Sequence, residues 1–345
     1  MARDLASLIV RSPPAELTLG DLTAALSRGW GLCEAALAYV PEGGGSHHWR
    51  VDGGAGRRWF VTVDDLDAKD WLGGDRETVF AGLGRSLATA AALRDTAGLE
   101  FVLAPVAAGN GELLHRLCDR YAVSVYPFVD GHSFAFGPYP DDLRNAVLDL
   151  IAALHRATPQ VRDRAPRHVL QIAGWPDLDA FLQEPGRVWD SGPFAAGAHG
   201  LLQAHARDLA WLAAAFGRLA GATAAARAVE PVITHGEPHP ANLLSAGGSL
   251  LLIDWDTVGL APPERDLSLI FGEAGEGADR YHERAGRALD PSVLTLYRAR
   301  WYLDDLASAV RLFRQPHSGT VDAERWFDGL APRLARLPEW LGQLG

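Results

Sequence analysis

Lysine is almost absent from this chain of 345 residues: Lys69 is the only one, and all other basic residues are arginines. A phosphate-binding loop of the GxxxxGK[ST] type needs a lysine directly after a glycine, whereas Lys69 follows an alanine. Nucleotide-binding proteins that depend on that loop are therefore excluded. Any mechanism that needs an ammonium group has to use Lys69 or do without one.

Cysteine and long apolar runs are also scarce. Two cysteines, Cys33 and Cys118, are too few for a disulfide framework or a four-thiolate zinc site, which favours a reducing compartment. The apolar runs are far shorter than the ~18 residues needed to cross a bilayer, and the N-terminal segment lacks the apolar core of a signal peptide. We therefore expect a soluble, cytoplasmic protein with no membrane partner.

Acidic side chains outnumber basic ones. The chain has 32 Lys and Arg against 43 Asp and Glu, which gives a formal net charge of −11. Nucleic-acid binding relies on cationic contacts to phosphates, so this balance argues against a nucleic-acid partner and favours a small cationic ligand. The expected partner is a small-molecule substrate, and both a monomer and a homodimer stay open.

Secondary-structure signals change along the chain. Residues 1–126 predict a small, mainly antiparallel sheet, because strand-like runs such as Trp59–Val63 and Phe101–Val106 alternate with glycine-rich turns. Residues 127–345 are mostly helical in pattern, including a long helix from Pro291 with Leu296, Leu303 and Val310 on one stripe. The sequence predicts an α+β protein with a small sheet-rich N-terminal lobe and a larger helical C-terminal lobe.

The stretch from Ile233 to Asp256 carries the chemical signal. Glu237 precedes Asn242 by five positions in a polar loop, and Asp254 ends the apolar run that follows. Phosphoryl transfer needs a carboxylate to orient the attacking hydroxyl and oxygen ligands for magnesium. Kinase-type loops place that carboxylate and a metal-binding asparagine five positions apart, with a second carboxylate after the next strand. The spacing and the strand–loop–strand context agree with this pattern.

This stretch resembles the aminoglycoside phosphotransferase family, whose loop usually reads H-G-D-x-H-x-x-N and is followed by I-D-W-x. Within that family, the segment from Ile253 to Leu267 is most similar to the spectinomycin phosphotransferases. The resemblance implies a two-lobed, protein-kinase-like fold with a nucleotide-binding N-terminal lobe. It also implies Mg²⁺- and ATP-dependent transfer to a hydroxyl of a small cationic natural product, with GTP as the alternative nucleotide. An aminoglycoside or aminocyclitol antibiotic, modified for resistance or self-protection, is the expected substrate.

The resemblance assigns roles position by position. It gives Glu237 the place of the catalytic carboxylate and Asn242 and Asp254 those of the metal ligands. His235 becomes a structural member of the loop, and Asp266 a support for it.

Two further groups of residues follow from the same resemblance. The nucleotide site is expected to include a phosphate-covering turn, a residue of the central strand and an inter-lobe hinge, namely Gly44, Gly45, Ser46, Thr62, Tyr126 and Phe128. Contact with an aminated substrate is expected from an aspartate after the metal ligand and from the C-terminal helix, at Asp256, Trp301, Asp304 and Asp305.

The chain departs from the family pattern at two places. Glu237 stands where the family has aspartate, which moves the carboxylate by one C–C bond, ~1.5 Å, and a misplacement of ~1 Å can cost on the order of 10²-fold in rate. Thr62 stands where the family has a lysine that pairs with the phosphates. Lys69 lies seven residues later in an acidic loop, and we expect it to be unable to substitute, with Arg57 or Arg58 as alternatives.

These departures leave three hypotheses open. The protein is a phosphotransferase, or a kinase-fold protein that binds an antibiotic or nucleotide with little or no turnover, or a biosynthetic enzyme that uses the same site for another transfer. A zinc site at His235, Glu237 and His239 is disfavoured, because the prolines at 238 and 240 prevent the helical geometry of the H-E-x-x-H motif.

Overall fold

The computed structural model describes residues 13–14, 16–33, 35–41, 46–53, 56–225, 230–272 and 274–344. They form two compact units. The sheet unit contains the described residues up to 168 together with 231–288, and the helical unit contains 169–230 and the residues from 289 onward. The predicted lobe boundary at residue 126 stays a prediction. The compact unit that contains the sheet also contains residues 231–288, and with them Asp254.

The elements are numbered in chain order. The strands are β1 (Ala36–Val40), β2 (Ser46–Asp52), β3 (Arg58–Asp65), β4 (His115–Arg116), β5 (Tyr121–Pro127), β6 (His132–Ser133), β7 (Val232–Thr234), β8 (Leu243–Ala246), β9 (Ser249–Leu252) and β10 (Gly259–Ala261). The helices are α1 (Leu19–Trp30), α2 (Arg76–Asp95), α3 (Asp141–Arg156), α4 (Thr158–Val161), α5 (Trp175–Gln183), α6 (Ala195–Ala204), α7 (Ala206–Ala225), α8 (Glu264–Ile270), α9 (Ala278–Ala285), α10 (Pro291–Arg314), α11 (Val321–Leu334) and α12 (Leu337–Leu344). Short 3-10 turns lie at Leu66–Ala68, Asp70–Leu72 and Pro240–Asn242.

The strands β1 to β5 form an antiparallel sheet in the spatial order β1-β2-β3-β5-β4. Because side chains alternate along a strand, each strand presents one row of residues to each face. On the core face, Val61 and Val123 are fully buried in one cluster with Leu22 of α1. Thr62 and Asp64 alternate with those valines, so they belong to the opposite face, which we call the polar face of the sheet.

The segment predicted as a strand at Phe101–Val106 connects two sheets by isolated hydrogen bonds instead. Leu103 N donates to Leu252 O of β9 at 3.1 Å, and Leu252 N donates to Phe101 O at 2.7 Å. Val106 N donates to Val125 O of β5 at 2.7 Å. The proline directly before Val106 has no N–H group, which prevents a continuous ladder. The prediction of a strand here is wrong for that reason.

A hairpin joins the two parts of the sequence motif. The strands β8 and β9 pair antiparallel, and Gly247 and Gly248 at their turn have φ angles of 56° and 81°. Glycine adopts this left-handed conformation without strain, as in a type I′ turn. The hairpin returns the chain so that Ile253 N donates to Asn242 O at 3.0 Å. Asn242 and Asp254 therefore become neighbours.

The helical unit is built around α10, which packs with α5, α6, α7 and α11. This helix begins at Pro291, as predicted, after the capping residue Asp290. The predicted stripe of Leu296, Leu303 and Val310 is fully buried. None of the helices in the described part of the chain combines the length and apolar composition needed to span a membrane.

A buried carboxylate, Asp266 of α8, anchors the loop that follows β7. Its oxygens accept hydrogen bonds from His235 N at 2.9 Å and Gly236 N at 2.7 Å, and His155 Nε2 of α3 lies 3.1 Å away. Burial alone would raise the pKa of Asp266, but the hydrogen bond with His155 and the charge of Arg265 hold that pKa below its usual value. These bonds confirm the predicted role of Asp266 as a support of the loop.

We expect Asp266→Ala to lower the free energy of unfolding by about 3–5 kcal/mol, because it leaves two buried N–H groups and His155 without their acceptor. Asp130→Ala, which removes an exposed ion pair with Arg58, serves as the control and should leave the free energy of unfolding close to the wild-type value. Urea denaturation followed by circular dichroism measures both values. A loss for Asp266→Ala no larger than that of the control would contradict this account.

Acid should destabilise the protein partly through the same carboxylate. Because the pKa of Asp266 is depressed in the folded state, its stabilising effect is complete above the unfolded-state pKa of about 3.9. The effect is lost as the pH falls through the lower folded-state pKa. Urea titrations between about pH 5 and pH 2 should therefore show a shallower loss of stability for Asp266→Ala than for the wild type. Parallel curves for the two proteins would assign the acid sensitivity to other groups.

Candidate active site

Hydrogen bonds inside the loop between β7 and β8 position Glu237 and Asn242. Asn242 Nδ2 donates to the backbone oxygen of Glu237 at 2.9 Å, and His239 N donates to the same oxygen at 2.8 Å. The amide nitrogen of the largely buried Asn242 is thereby used within the loop. Its Oδ1 atom is the acceptor that the side chain has left for a cation.

His235 is a structural member of this loop, as the resemblance implied. It is fully buried, its Nε2 donates to Ile253 O at 2.9 Å, and its Nδ1 accepts from Glu237 N at 3.2 Å. Burial lowers the pKa of His235 to about 4, so the ring is neutral near pH 7. Because both ring nitrogens are engaged with the backbone, the disfavoured zinc site at His235 and Glu237 finds no support here.

Asp254 follows β9 in an unusual backbone conformation. Its φ angle of 66° is the only positive one of a non-glycine residue in the described part of the chain. Aspartate tolerates the left-handed region better than most residues, and such conformations concentrate at functional sites. Asp254 is exposed to solvent. Desolvation of its carboxylate by neighbouring protein atoms, followed by the charges of Asp256 and Glu237, raises the pKa of Asp254 well above its usual value.

Lys69 lies close to the same carboxylates, and the expectation that it cannot substitute for a phosphate-pairing lysine stays a prediction. Its side chain is almost fully buried, with Nζ 3.1 Å from Asp64 Oδ1 and 2.5 Å from Asp256 Oδ2. The 3-10 turns Leu66–Ala68 and Asp70–Leu72 bend the chain after β3 and bring Lys69 back towards the polar face of the sheet. One feature of the sequence points to this position of Lys69. Asp64 lies two residues after Thr62, on the same face of the strand, and could serve as the partner of a buried lysine.

Nearby carboxylates stabilise the charged form of this ammonium group. Burial alone would lower the pKa of Lys69, but the carboxylates of Asp256, Asp64 and Asp254 raise it above its usual value. The lysine is therefore positively charged at neutral pH. Its field also contributes, after burial, to lowering the pKa of His48 to about 4.

The predicted nucleotide residues fall on one part of the sheet unit. Thr62 Oγ1 lies 3.3 Å from His48 Nδ1 of β2, and Ser46 Oγ donates to Asp64 Oδ1 at 2.7 Å. Gly44 and Gly45 lie outside the described residues. Ser46 and Thr62 are thus close to Lys69 through shared neighbours, and their contact with a nucleotide stays a prediction.

The predicted hinge begins in the last residues of β5. Burial and the charges of Asp64, Asp254 and Asp256 raise the pKa of Tyr126 above its usual value, so its phenol lies within the field of those carboxylates. Phe128 N donates to Arg58 O at 3.2 Å, and the Arg58 guanidinium lies 4.6 Å from the centre of the Phe128 ring.

The arginines suggested as substitutes for a phosphate-pairing lysine are poorly suited to that role. Arg58 pairs with the exposed Asp130 at the start of β3, at the end of the strand away from Asp64. Arg57 directly precedes the strand and is exposed.

The carboxylates predicted to contact substrate have partners within the protein. Asp256 is bound to Lys69, as described above. On α10 of the helical unit, Asp304 accepts from Ala173 N at 2.9 Å and pairs with Arg300 at 2.7 Å, while Asp305 lies 3.3 Å from Arg333. Burial raises the pKa of Asp305 above its usual value, and the charge of Arg333 offsets part of that rise. Substrate contact by these residues and by Trp301 stays a prediction.

Asn242 and Asp254 offer the oxygen donors that magnesium prefers. In the described parts of the chain, no three His, Cys, Asp or Glu side chains are arranged to hold a metal. Magnesium in phosphoryl-transfer sites takes one or two protein carboxylates and completes its shell with water and phosphate oxygens. The adjacent amide oxygen of Asn242 and carboxylate of Asp254 fit that mode of binding.

Comparison with solved structures identifies the fold. A spectinomycin phosphotransferase in complex with ADP and spectinomycin is 15% identical, matches 94% of this chain and 99% of its own with a TM-score of 0.69. An amicoumacin kinase in complex with AMP-PNP and Ca²⁺ is 13% identical, matches 94% of each chain and has a TM-score of 0.62. A microcompartment-associated aminopropanol kinase is 16% identical, with 95% of this chain and 99% of that chain covered and a TM-score of 0.60. The predicted α+β, protein-kinase-like fold is confirmed.

Sequence comparison identifies the family. Residues 39–302 match the model of the phosphotransferase enzyme family APH. The protein StrN of Streptomyces griseus is 31% identical over 260 residues, which are 72% of this chain and 75% of StrN. The residues that match the family model include Lys69, Glu237, Asn242 and Asp254. This chain belongs to the phosphotransferase enzyme family.

Proposed function

We propose that this protein is a Mg²⁺- and ATP-dependent phosphotransferase acting on a hydroxyl of a small, amine-bearing natural product. The observation that carries the proposal is that hydrogen bonds join Asn242 to the backbone of Glu237 and to that of Ile253, the residue before Asp254. The three residues of the kinase pattern therefore lie on neighbouring segments. Membership of the phosphotransferase family supports the reaction class.

The proposed reaction is a single displacement at phosphorus. The hydroxyl oxygen of the acceptor attacks the γ-phosphorus of ATP, the bond from that phosphorus to the β,γ-bridging oxygen breaks, and ADP leaves. Glu237 orients the hydroxyl and accepts its proton. Asn242 and Asp254 would hold the Mg²⁺, which neutralises charge on the phosphate oxygens when bound. Tyr126 and Phe128 are the proposed contacts of the base, with GTP as the alternative nucleotide.

An aminoglycoside or aminocyclitol antibiotic is the proposed acceptor. The net charge of −11 favours a cationic ligand. The solved relatives include enzymes named for spectinomycin, aminopropanol and amicoumacin. A role in resistance or self-protection and a cytoplasmic location, where ATP is available, belong to the same proposal.

We expect the purified protein to phosphorylate at least one member of a panel of aminoglycosides and aminocyclitols in the presence of Mg²⁺ and ATP. Mass spectrometry would detect a product heavier by one phosphoryl group. Asp254→Asn should reduce turnover by at least about 10²-fold, because it removes a ligand of the cation that stabilises the transferring phosphoryl group. Asp119→Asn, at an exposed ion pair with Arg76, should leave turnover unchanged. Absence of product with every acceptor, together with no thermal stabilisation by Mg²⁺ and ATP, would reject the proposal.

We expect Glu237→Asp to lower kcat by about 10²-fold, because the surrounding loop is fixed by hydrogen bonds and the shorter side chain withdraws the carboxylate by ~1.5 Å. The KM for ATP should stay close to the wild-type value, since Glu237 faces the acceptor. Glu237→Gln keeps the length of the side chain and removes its negative charge. Comparison of the two variants therefore separates the effect of side-chain length from the effect of losing the proton acceptor. If Glu237→Asp instead raises turnover, the native site is that of a weakened kinase and the binding-protein hypothesis gains support.

A further inference from the structure

Lys69 is a buried charge at a costly position. Its exposed surface is 2% of the residue, and it contacts two carboxylates, those of Asp64 and Asp256. Removing an ammonium and two carboxylates from water is energetically unfavourable, and apolar residues of similar size often stabilise a protein as well or better. Stability alone therefore gives a poor reason to keep a lysine here. A ligand that needs a cation at this point gives a better one.

The position of Lys69 relative to β3 suggests what that ligand is. Asp64 lies two residues after Thr62 on the same strand, so both side chains belong to the polar face of the sheet. Thr62 Oγ1 is bonded to His48, and the pKa of His48 is sensitive to the charge of Lys69. The ammonium group thus lies over the same part of the sheet as the side chain of Thr62, although it comes from a different segment of the chain.

We propose that Lys69 is the residue that contacts the phosphates of the bound nucleotide, reaching the polar face of the sheet from the 3-10 turns after β3. This inference rests on the proposed function, because it assumes a nucleotide in the site. Phosphoryl transfer needs a cationic group on the phosphates besides the metal. Lys69 lies beside Asp256, two residues from the proposed metal ligand Asp254, which puts the ammonium next to the place where phosphate oxygens meet the metal.

The neighbouring carboxylates then act as positioning residues for Lys69. Asp64 holds the ammonium from the side of the sheet and is itself bonded to Ser46, the first described residue after the run of glycines in the sequence. Asp256 holds it from the loop that carries Asp254. Both partners of the lysine are thus aspartates, and neither comes from α2. Glu77, the nearest glutamate on α2, pairs with Arg116 instead.

The test compares Lys69→Met with the relocation variant Thr62→Lys/Lys69→Met, which moves the ammonium onto β3. Calorimetry would give the affinities for Mg²⁺·ATP and for adenosine, which shares the base and sugar but has no phosphate. We expect Lys69→Met to weaken Mg²⁺·ATP binding by about 10²-fold and to leave adenosine binding within twofold. The relocation variant should recover at least a tenth of the wild-type affinity for Mg²⁺·ATP. Arg120→Met, which breaks an ion pair with Asp65 at the end of the same strand, is the matched control and should change neither affinity.

Each outcome decides the inference. An equal loss of Mg²⁺·ATP and adenosine binding in Lys69→Met, or unchanged Mg²⁺·ATP binding, shows that Lys69 is structural and overturns it while the proposed function stands. If the wild type binds Mg²⁺·ATP but phosphorylates no acceptor, the function fails and the Lys69 comparison still decides the phosphate contact. If the wild type binds no nucleotide, both fail. Should Lys69→Met not fold, Asp64→Asn/Lys69→Met removes one unpaired carboxylate, and the same affinities are measured on that variant.

Discussion

The ammonium group of Lys69 lies between the carboxylates of Asp64 and Asp256 and within the field of Asp254, and the geometry of the site depends on how these charges offset one another. Without Lys69 the carboxylates would repel one another at short range in a setting that water screens poorly. With it, the end of β3 and the loop after β9 are tied to the same atom. Desolvation, followed by the charges of Asp256 and Glu237, keeps the pKa of Asp254 above its usual value.

The loop between β7 and β8 is held by a different means. Its backbone is bonded to Asp266, its histidine to Ile253, and its asparagine to the oxygen of Glu237. These bonds use donors and acceptors that would otherwise be buried without partners. A carboxylate mounted on such a loop has little freedom apart from its own side-chain torsions, so the change from aspartate to glutamate alters reach directly.

Much of this could be predicted from the sequence, because local patterns determine it. The spacing of Glu237 and Asn242, the run ending at Asp254, and the apolar stripe of α10 all depend on residues near one another in the chain. The failures concern longer-range effects. Pro105 lies in a run with strand composition, yet its missing N–H leaves the segment with isolated bonds to two sheets. The contact of Lys69 with Asp256 could not be predicted, because a strand pattern gives no information about the two successive 3-10 turns that precede and follow Lys69.

The scarcity of lysine gives the chain a chemical property of its own. Lys69 is the sole side-chain amine among 345 residues, and it is buried between two carboxylates. An amine-directed acylating reagent therefore has a single side-chain target in the whole protein. The rate at which the reagent modifies Lys69 would report how often the carboxylates release the ammonium to solvent. Because the chain has only one lysine, this single amine can serve as an intrinsic probe of how often the site opens.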